Sequence, residues 1–493
     1  MREGSPRFRK RWVVLFALAS VLALALTACG GDDSAAPAPE PAAEEPAPPA
    51  EDPAPEPPAE DPAPEPPAED PAPEPPAEDP APEPPAEDPA PEPEPEGCQV
   101  DGADDGEINL FGTTDLAGAA GDIGPSGVRW AEVYADEINA AGGILGCTLV
   151  IDIEDEPFPE FESGIRKYRT AIESGEYDAM IALFDSALML ALPQFTAPAK
   201  MAVIAAGPGD HQPFYEDFSP YLFQAGITTL HEARASAQFA IDKGWMTAAI
   251  LTPNYAYGQD VASSFVEYYE RLGGTIVEQQ FPDALETNFV AFVNAVVSAE
   301  PEMIFGGQFG GSILALWQLF KEQGLEIPTM YLVERTILES ITSEDAAPPP
   351  NSYGYTRGAL PLLLQTTRGQ EVLDLYQANF GDSDHPLPSE WVYEVDNGLQ
   401  MLVALVTETG SVDPDVWEAR IDEGDFGYVT AYNEGLTAVD GLNNMSDLCA
   451  DVGLAIFDPE IGQGNYDPND SGHYCLADVL STDEAAERIA GGS

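Results

Sequence analysis

The chain has 493 residues, of which 87 are Asp or Glu and only 19 are Lys or Arg, giving a formal charge of -68 at pH 7. A surface this negative repels polyanions, so nucleic acid is excluded as a partner, and it does not steer anionic solutes or favour anionic lipid. Hydrophobic residues make up 44% of the chain, enough for a large core, while 48 prolines point to a segment that adds nothing to one.

Arg2, Arg7, Arg9, Lys10 and Arg11 precede an apolar run from Trp12 to Leu26, which stops at Leu26-Thr27-Ala28-Cys29. Basic, apolar, then small is the order of a secretory signal. The run is short of the roughly 20 residues that a membrane-spanning helix needs. Its end resembles a bacterial lipoprotein lipobox. The resemblance implies that residues 1–28 are a signal peptide and that Cys29 becomes an acylated N-terminus on the extracytoplasmic face of the cell membrane. Several acyl chains anchor firmly, since each buried methylene contributes roughly 0.8 kcal/mol.

Residues 29–97 are dominated by Pro, Ala, Glu and Asp, and from Glu51 the unit Glu-Asp-Pro-Ala-Pro-Glu-Pro-Pro-Ala repeats. No side chain in the unit is large enough to be buried between neighbours, so a solenoid is ruled out. Proline favours polyproline II and like charges resist compaction. The segment reads as an acidic spacer that reaches about 150 to 200 Å when extended.

With Cys29 assigned to lipid, Cys98, Cys147, Cys449 and Cys475 form an even set, as expected for two disulfides outside the cytoplasm. Three pairings are open. The preferred one joins nearest neighbours, Cys98 with Cys147 and Cys449 with Cys475, each bond contributing about 3.5 to 4 kcal/mol in the chain-entropy model. There is no Cys-x-x-Cys and no close histidine pair, so neither metal nor cofactor is expected.

From Cys98 onward the pattern is α/β. Glu107 to Phe111 reads as a buried strand, Gly127 to Ala141 as a helix stopped by Gly142-Gly143, and Cys147 to Ile153 as a second strand. Ser163 to Glu173 reads as helix, Ala179 to Leu183 as strand, Ala187 to Ala197 as helix and Met201 to Ala205 as strand. A second series follows. His231 to Lys243, Gly258 to Leu272, Phe289 to Ala299 and Ile313 to Gln323 read as helices, and Thr247 to Thr252, Thr275 to Gln280, Met303 to Phe305 and Thr329 to Val333 as strands. This order predicts two parallel sheets with crossover helices. Ligands sit outside the carboxyl ends of such strands, so loops after Phe111, Leu183, Ile204, Thr252, Phe305 and Val333 are expected to line a cleft. Past Gly435 the chain is polar, with Asp467-Pro468-Asn469-Asp470 reading as turn.

The stretch Ile108-Asn109-Leu110-Phe111-Gly112, followed by Asp136 to Gly146 ending Ala-Ala-Gly-Gly-Ile-Leu-Gly, and then Glu154-Asp155, resembles the opening of the branched-chain amino acid (Leu/Ile/Val-binding-like) type of ABC-transporter substrate-binding protein. Tyr257-Gly258, Pro220 to Gln224, Trp391 to Thr407 and Phe426 to Gly435 are similar to later segments of that family. The resemblance implies a two-lobed Venus-flytrap of the periplasmic-binding-protein type I, each lobe a parallel sheet flanked by helices, joined by three crossings. It also implies lobe 1 at 98–223 and 358–435, and lobe 2 at 224–357 and 436–480.

Residue by residue, the resemblance places Asp185, Ser186 and the backbone amides of Gly207 and Gly209 at the ligand from the first lobe, and Tyr257, Phe309 and Glu334 from the second. Ala120 falls where the family has an aromatic ring, and Arg335 beside Glu334 offers a neutralising charge or a carboxylate partner. Two carboxylates facing one cleft favour a cationic or hydrogen-bond-donating solute. Structural roles compete at each position. Asp185 or Ser186 caps the following helix, Tyr257 is a packed ring, Glu334 and Arg335 are a surface pair, and Phe309 is core.

His211, His231, His385 and His473 are scattered, and the glycine-rich stretches lack the lysine of a phosphate loop, so no enzyme is expected. The expected function is capture of a small polar solute (amino acid, amide or amine) by a monomeric lipoprotein that delivers it to an ABC permease. The alternatives are a tethered sensor for a membrane receptor or kinase, and a cell-surface protein with a decayed pocket.

Overall fold

The computed structural model describes residues 97–475 apart from 119–123, 215–217, 309, 334, 357–365, 384–386, 433–435, 439–448 and 460–462. The export sequence, Cys29, the spacer, Ala120, Phe309 and Glu334 lie outside the described residues.

The first sheet is built by β1 (Glu107–Thr114), α1 (Gly124–Ala140), β2 (Thr148–Asp155), α2 (Phe161–Ser174), β3 (Ala179–Ala182), α3 (Ser186–Ala191), α4 (Pro193–Ala199), β4 (Ala202–Ala205) and β5 (Leu222–Gln224). Its strands run parallel in the order β2-β1-β3-β4-β5. Every residue of β3 and β4 is buried, which is why these strands read as unbroken apolar runs, whereas β2 at the edge is only partly covered. The turn from α1 to β2 depends on Gly143, whose φ is +75° and whose absent Cβ would lie 2.0 Å from the Cys147 carbonyl oxygen. A disulfide joins Cys147 to Cys98, with Cα atoms 4.3 Å apart. The single helix expected over Ala187 to Ala197 is two helices that meet at Leu192, because Pro193 has no N–H to continue the ladder.

The second sheet follows from α5 (Thr229–Asp242), β6 (Thr247–Leu251), α6 (Ala256–Arg271), β7 (Thr275–Gln280), α7 (Val290–Ser298), β8 (Met303–Gly306), α8 (Gly311–Gln323), β9 (Thr329–Leu332), α9 (Arg335–Ser340) and β10 (Ser352–Thr356). The chain then forms α10 (Thr367–Phe380), α11 (Glu390–Thr409), α12 (Pro414–Ile421), a small pair β11 (Gly427–Val429) and β12 (Leu436–Ala438), and a long hairpin, β13 (Cys449–Asp458) and β14 (Gln463–Cys475). The second sheet has the order β14-β13-β10-β9-β8-β6-β7, parallel except for the antiparallel hairpin.

That hairpin corrects the reading of the C-terminal stretch. Asp467 to Asp470 does not end a strand but bulges within one, since the pairing passes from Gly453 opposite Ser471 to Ala455 opposite Tyr466. The turn chemistry is still present, with Asp467 Oδ1 accepting from the Asn469 amide at 2.8 Å. Tyr466 donates its hydroxyl to the Val333 carbonyl at 3.0 Å and occupies the space that a Cβ on Gly354 would need.

Helix α11 returns to the first sheet. Val392, Val395, Leu399 and Leu402 share a core with Ile181, Ile204 and Phe223. Its buried Asp396 ties three helices together, accepting from Arg368 Nη2 at 2.5 Å and Nε at 3.0 Å, and from Trp130 Nε1 at 3.2 Å. A further core runs across both sheets, from Phe111, Phe158 and Met180 to Tyr257, Phe265 and Phe305.

Candidate functional site

The carboxyl ends of both sets of strands meet through aromatic rings. Phe158, just after β2, lies 5.8 Å from Phe184 after β3 and 5.5 Å from Tyr255 after β6 (ring centroids). Phe184 in turn stands 5.6 Å from Trp391 at the start of α11, and Tyr255 stands 6.0 Å from Tyr257 at the start of α6. Edge-to-face and tilted contacts of this kind suit the ring quadrupole. They place side chains from the two sheets in one belt.

Beside the belt the first-sheet loops fold onto their own polar side chains. Asp185 is the N-cap of α3, with Oδ1 accepting from the amides of Ala187 at 2.6 Å and Leu188 at 3.3 Å. Burial pushes its carboxyl up to about 6, against the pull of those two amides. Ser186 Oγ accepts from the amides of Gly209 at 3.2 Å and Asp210 at 3.3 Å, so this hydroxyl fixes the loop after β4. Gly207 donates to the Ala182 carbonyl. A Cβ there would fall 1.9 Å from the Leu183 oxygen and 2.6 Å from Trp391 Cζ3, so only glycine fits. The structure thus brings Asp185, Ser186, Gly207 and Gly209 together. It places Tyr257 farther along the belt, where its hydroxyl donates to Glu232 Oε2 at 2.9 Å. Phe309 and Glu334 are outside the described residues.

Sequence reasoning missed two polar groups here. The first is a carboxyl cluster at the ends of β1 and β2. Asp115 accepts from the amides of Gly118, Ala117 and Phe158, and Glu156 accepts from the Thr113 hydroxyl. Burial, then the charge of Asp185, pushes the Glu156 carboxyl up to about 9, so it is protonated at neutral pH. Its other oxygen, Oε1, is buried and has no hydrogen-bond partner among the described residues. The second group bridges the two sheets. His211, past β4, sets Nδ1 2.8 Å and its amide 3.0 Å from Oδ2 of Asp260 on α6, and Thr229 donates its hydroxyl to the same oxygen. Burial raises the Asp260 carboxyl, but the His211 charge and these donors outweigh it and hold it below the usual carboxylate range. The available signal was position alone, and only for the cluster: Asp115 and Glu156 lie just past the ends of β1 and β2.

The arrangement has the means to hold a solute: rings, fixed carboxyls and ordered loops. Among the described residues no group of three His, Cys, Asp or Glu side chains is placed to hold a metal ion. No described helix is long and apolar enough to cross a membrane. A groove of about 430 Å³ lies elsewhere, between α2 and β2, with Phe111, Arg166, Lys167 and Tyr177 in its walls.

A family model described as "Periplasmic binding protein" matches residues 108–444. Among solved structures, an ABC-transporter substrate-binding protein from Sphaerobacter thermophilus is 19% identical with a TM-score of 0.64, covering 76% of this chain and 99% of its own. A solute binding protein of an ABC transporter from Rhodopseudomonas palustris, in complex with 3,4-dihydroxybenzoic acid, is 17% identical with a TM-score of 0.63 and covers 76% of this chain and 99% of its own. A leucine binding protein from Thermotoga maritima is 15% identical with a TM-score of 0.60, covering 76% and 100%. At these identities the likeness is one of fold. A search of the curated proteins finds no match.

Proposed function

Because the chain belongs to the periplasmic binding protein family, we propose that it captures a small polar solute (an amino acid, amide or amine) outside the cytoplasm and delivers it to an ABC importer. In this reading Cys29 carries the lipid anchor, the spacer up to residue 97 holds the binding part away from the membrane, and the lobes divide at the boundaries given above. Phe309 and Glu334 approach the solute from the second lobe, alongside Tyr257. The aromatic belt carries the proposal, because rings from the carboxyl ends of both sheets converge where a solute held between two lobes would lie. The structural relatives from Rhodopseudomonas palustris and Thermotoga maritima, which bind a dihydroxybenzoic acid and leucine, support a small organic solute.

Thermal unfolding of the purified full chain against amino acids, amides, amines and aromatic acids tests this. A solute at 100 times its dissociation constant adds about 2.7 kcal/mol of stability. A transition that stays fixed across the whole panel would remove solute capture as the function.

A further inference from the structure

We propose that the captured solute is an organic ammonium ion, held among the rings of Phe158, Phe184, Tyr255 and Trp391 against the carboxyls of Asp185 and Glu156. The proposal rests on the solute-capture reading and narrows it to one chemistry.

A ligand carboxylate buried at this end of the first sheet would need hydrogen-bond donors, and many of the described loop amides are already spent. The amides of Ala206 and Gly207 go to the Ala182 carbonyl, and those of Gly209 and Asp210 go to Ser186 Oγ. The His211 amide goes to Asp260 and the Gln212 amide to Asp210, while Pro208 has none to give. At the start of α3 the Ala187 and Leu188 amides cap Asp185, and after β1 those of Ala117 and Gly118 close on Asp115. The nearby cation, Lys167, is taken by Glu154 and the Asp155 carbonyl. An anion entering here would face acids, and the amides just named are already engaged.

A cation meets the opposite situation. Ring faces attract ammonium groups, most strongly when water is removed, and the belt supplies rings from both sheets. Asp185 supplies the countercharge, and the neutral Glu156 adds a buried oxygen, Oε1, that has no hydrogen-bond partner among the described residues. Burial is the largest cause that raises Asp185 and Glu156, and a bound ammonium would offset it.

The test is calorimetric titration and thermal unfolding of the full chain with choline, tetramethylammonium and putrescine. These are set against 3,3-dimethylbutan-1-ol, the neutral carbon isostere of choline, and against benzoate and leucine. At least one ammonium ion should bind, with choline favoured at least tenfold over its isostere if choline is that ion. Tyr255→Ala should weaken the binding about tenfold and Tyr255→Phe should restore it, each titrated well below its own unfolding transition without solute. Binding of benzoate or leucine with no response to the ammonium ions would overturn the ammonium assignment and leave solute capture standing. Equal binding of choline and its isostere would also overturn it, and silence across all compounds would overturn both.

Discussion

His211 Nδ1 lies 2.8 Å from Asp260 Oδ2, and through that contact a loop of the first sheet grips a helix of the second. The carboxylate is buried and also takes the His211 amide and the Thr229 hydroxyl, so one acid organises donors from both halves of the molecule.

Replacing Asp260 with alanine should cost about 3 kcal/mol or more in urea unfolding, because it leaves the buried donors unmet. The depressed carboxyl sets the sign of the pH effect. Its contribution is present above the unfolded value of 3.8 and is lost as pH falls through the lower folded value. Wild-type stability should therefore drop faster than that of Asp260→Asn below about pH 4. Parallel acid curves for the two proteins would show that the ion pair does not form.

Glu156 behaves in the opposite sense. Its folded pKa, about 9, lies above the ordinary 4.5, so its contribution is complete below 4.5 and is lost as pH climbs toward 9. Glu156→Gln mimics the protonated acid and does not titrate. The stability of this variant relative to wild type should rise between pH 5 and 9, by up to about 1.4 kcal/mol per unit. A constant difference across that range, read from denaturant melts, would mean that Glu156 is ionised throughout.

Asp396→Ala should destabilise the fold by about 3 to 5 kcal/mol, since it strands the Arg368 guanidinium among α1, α10 and α11. Arg368→Met combined with Asp396→Leu should recover much of that loss, because an apolar pair carries no desolvation penalty. Chemical denaturation of the single and double variants gives the coupling directly.

Cys449 stands opposite Cys475 in the hairpin ladder. Directly opposed residues of an antiparallel pair bring their Cβ atoms to about 4.5 to 5.5 Å, close to the separation a disulfide needs. We expect a linked peptide containing both cysteines after digestion without reductant, and a loss of about 2 to 4 kcal/mol when the bond is absent in Cys449→Ser. Alkylation of both thiols in the untreated protein would count against the bond.

The alternation of strands and helices from Glu107 to Val333 was readable because each element carries its own periodicity and its own stop, such as Gly142-Gly143 after α1. Two features escaped for physical reasons. Pro193 splits a stretch whose apolar spacing alone reads as one helix. Strand β14 is rich in Asp, Asn and Gly, and pairing with β13 rather than intrinsic propensity makes it a strand. At the site, Asp185 and Ser186 were locatable from the strand that precedes them, but what they hold was not. Ser186 reaches an amide 23 positions downstream, and His211 meets its acid 49 positions away. Contacts that distant leave no mark on local patterning.

The order in which the chain is made has its own consequence. The first sheet lacks α11 until Glu390–Thr409 has been synthesised, and the second exposes β10 as a raw edge until Cys449–Asp458 arrives to cover it. The first half can therefore close before the second, whose edge waits for the hairpin. Under the export proposed above, such a chain would stay pliable for most of its passage and would set only once the hairpin had followed.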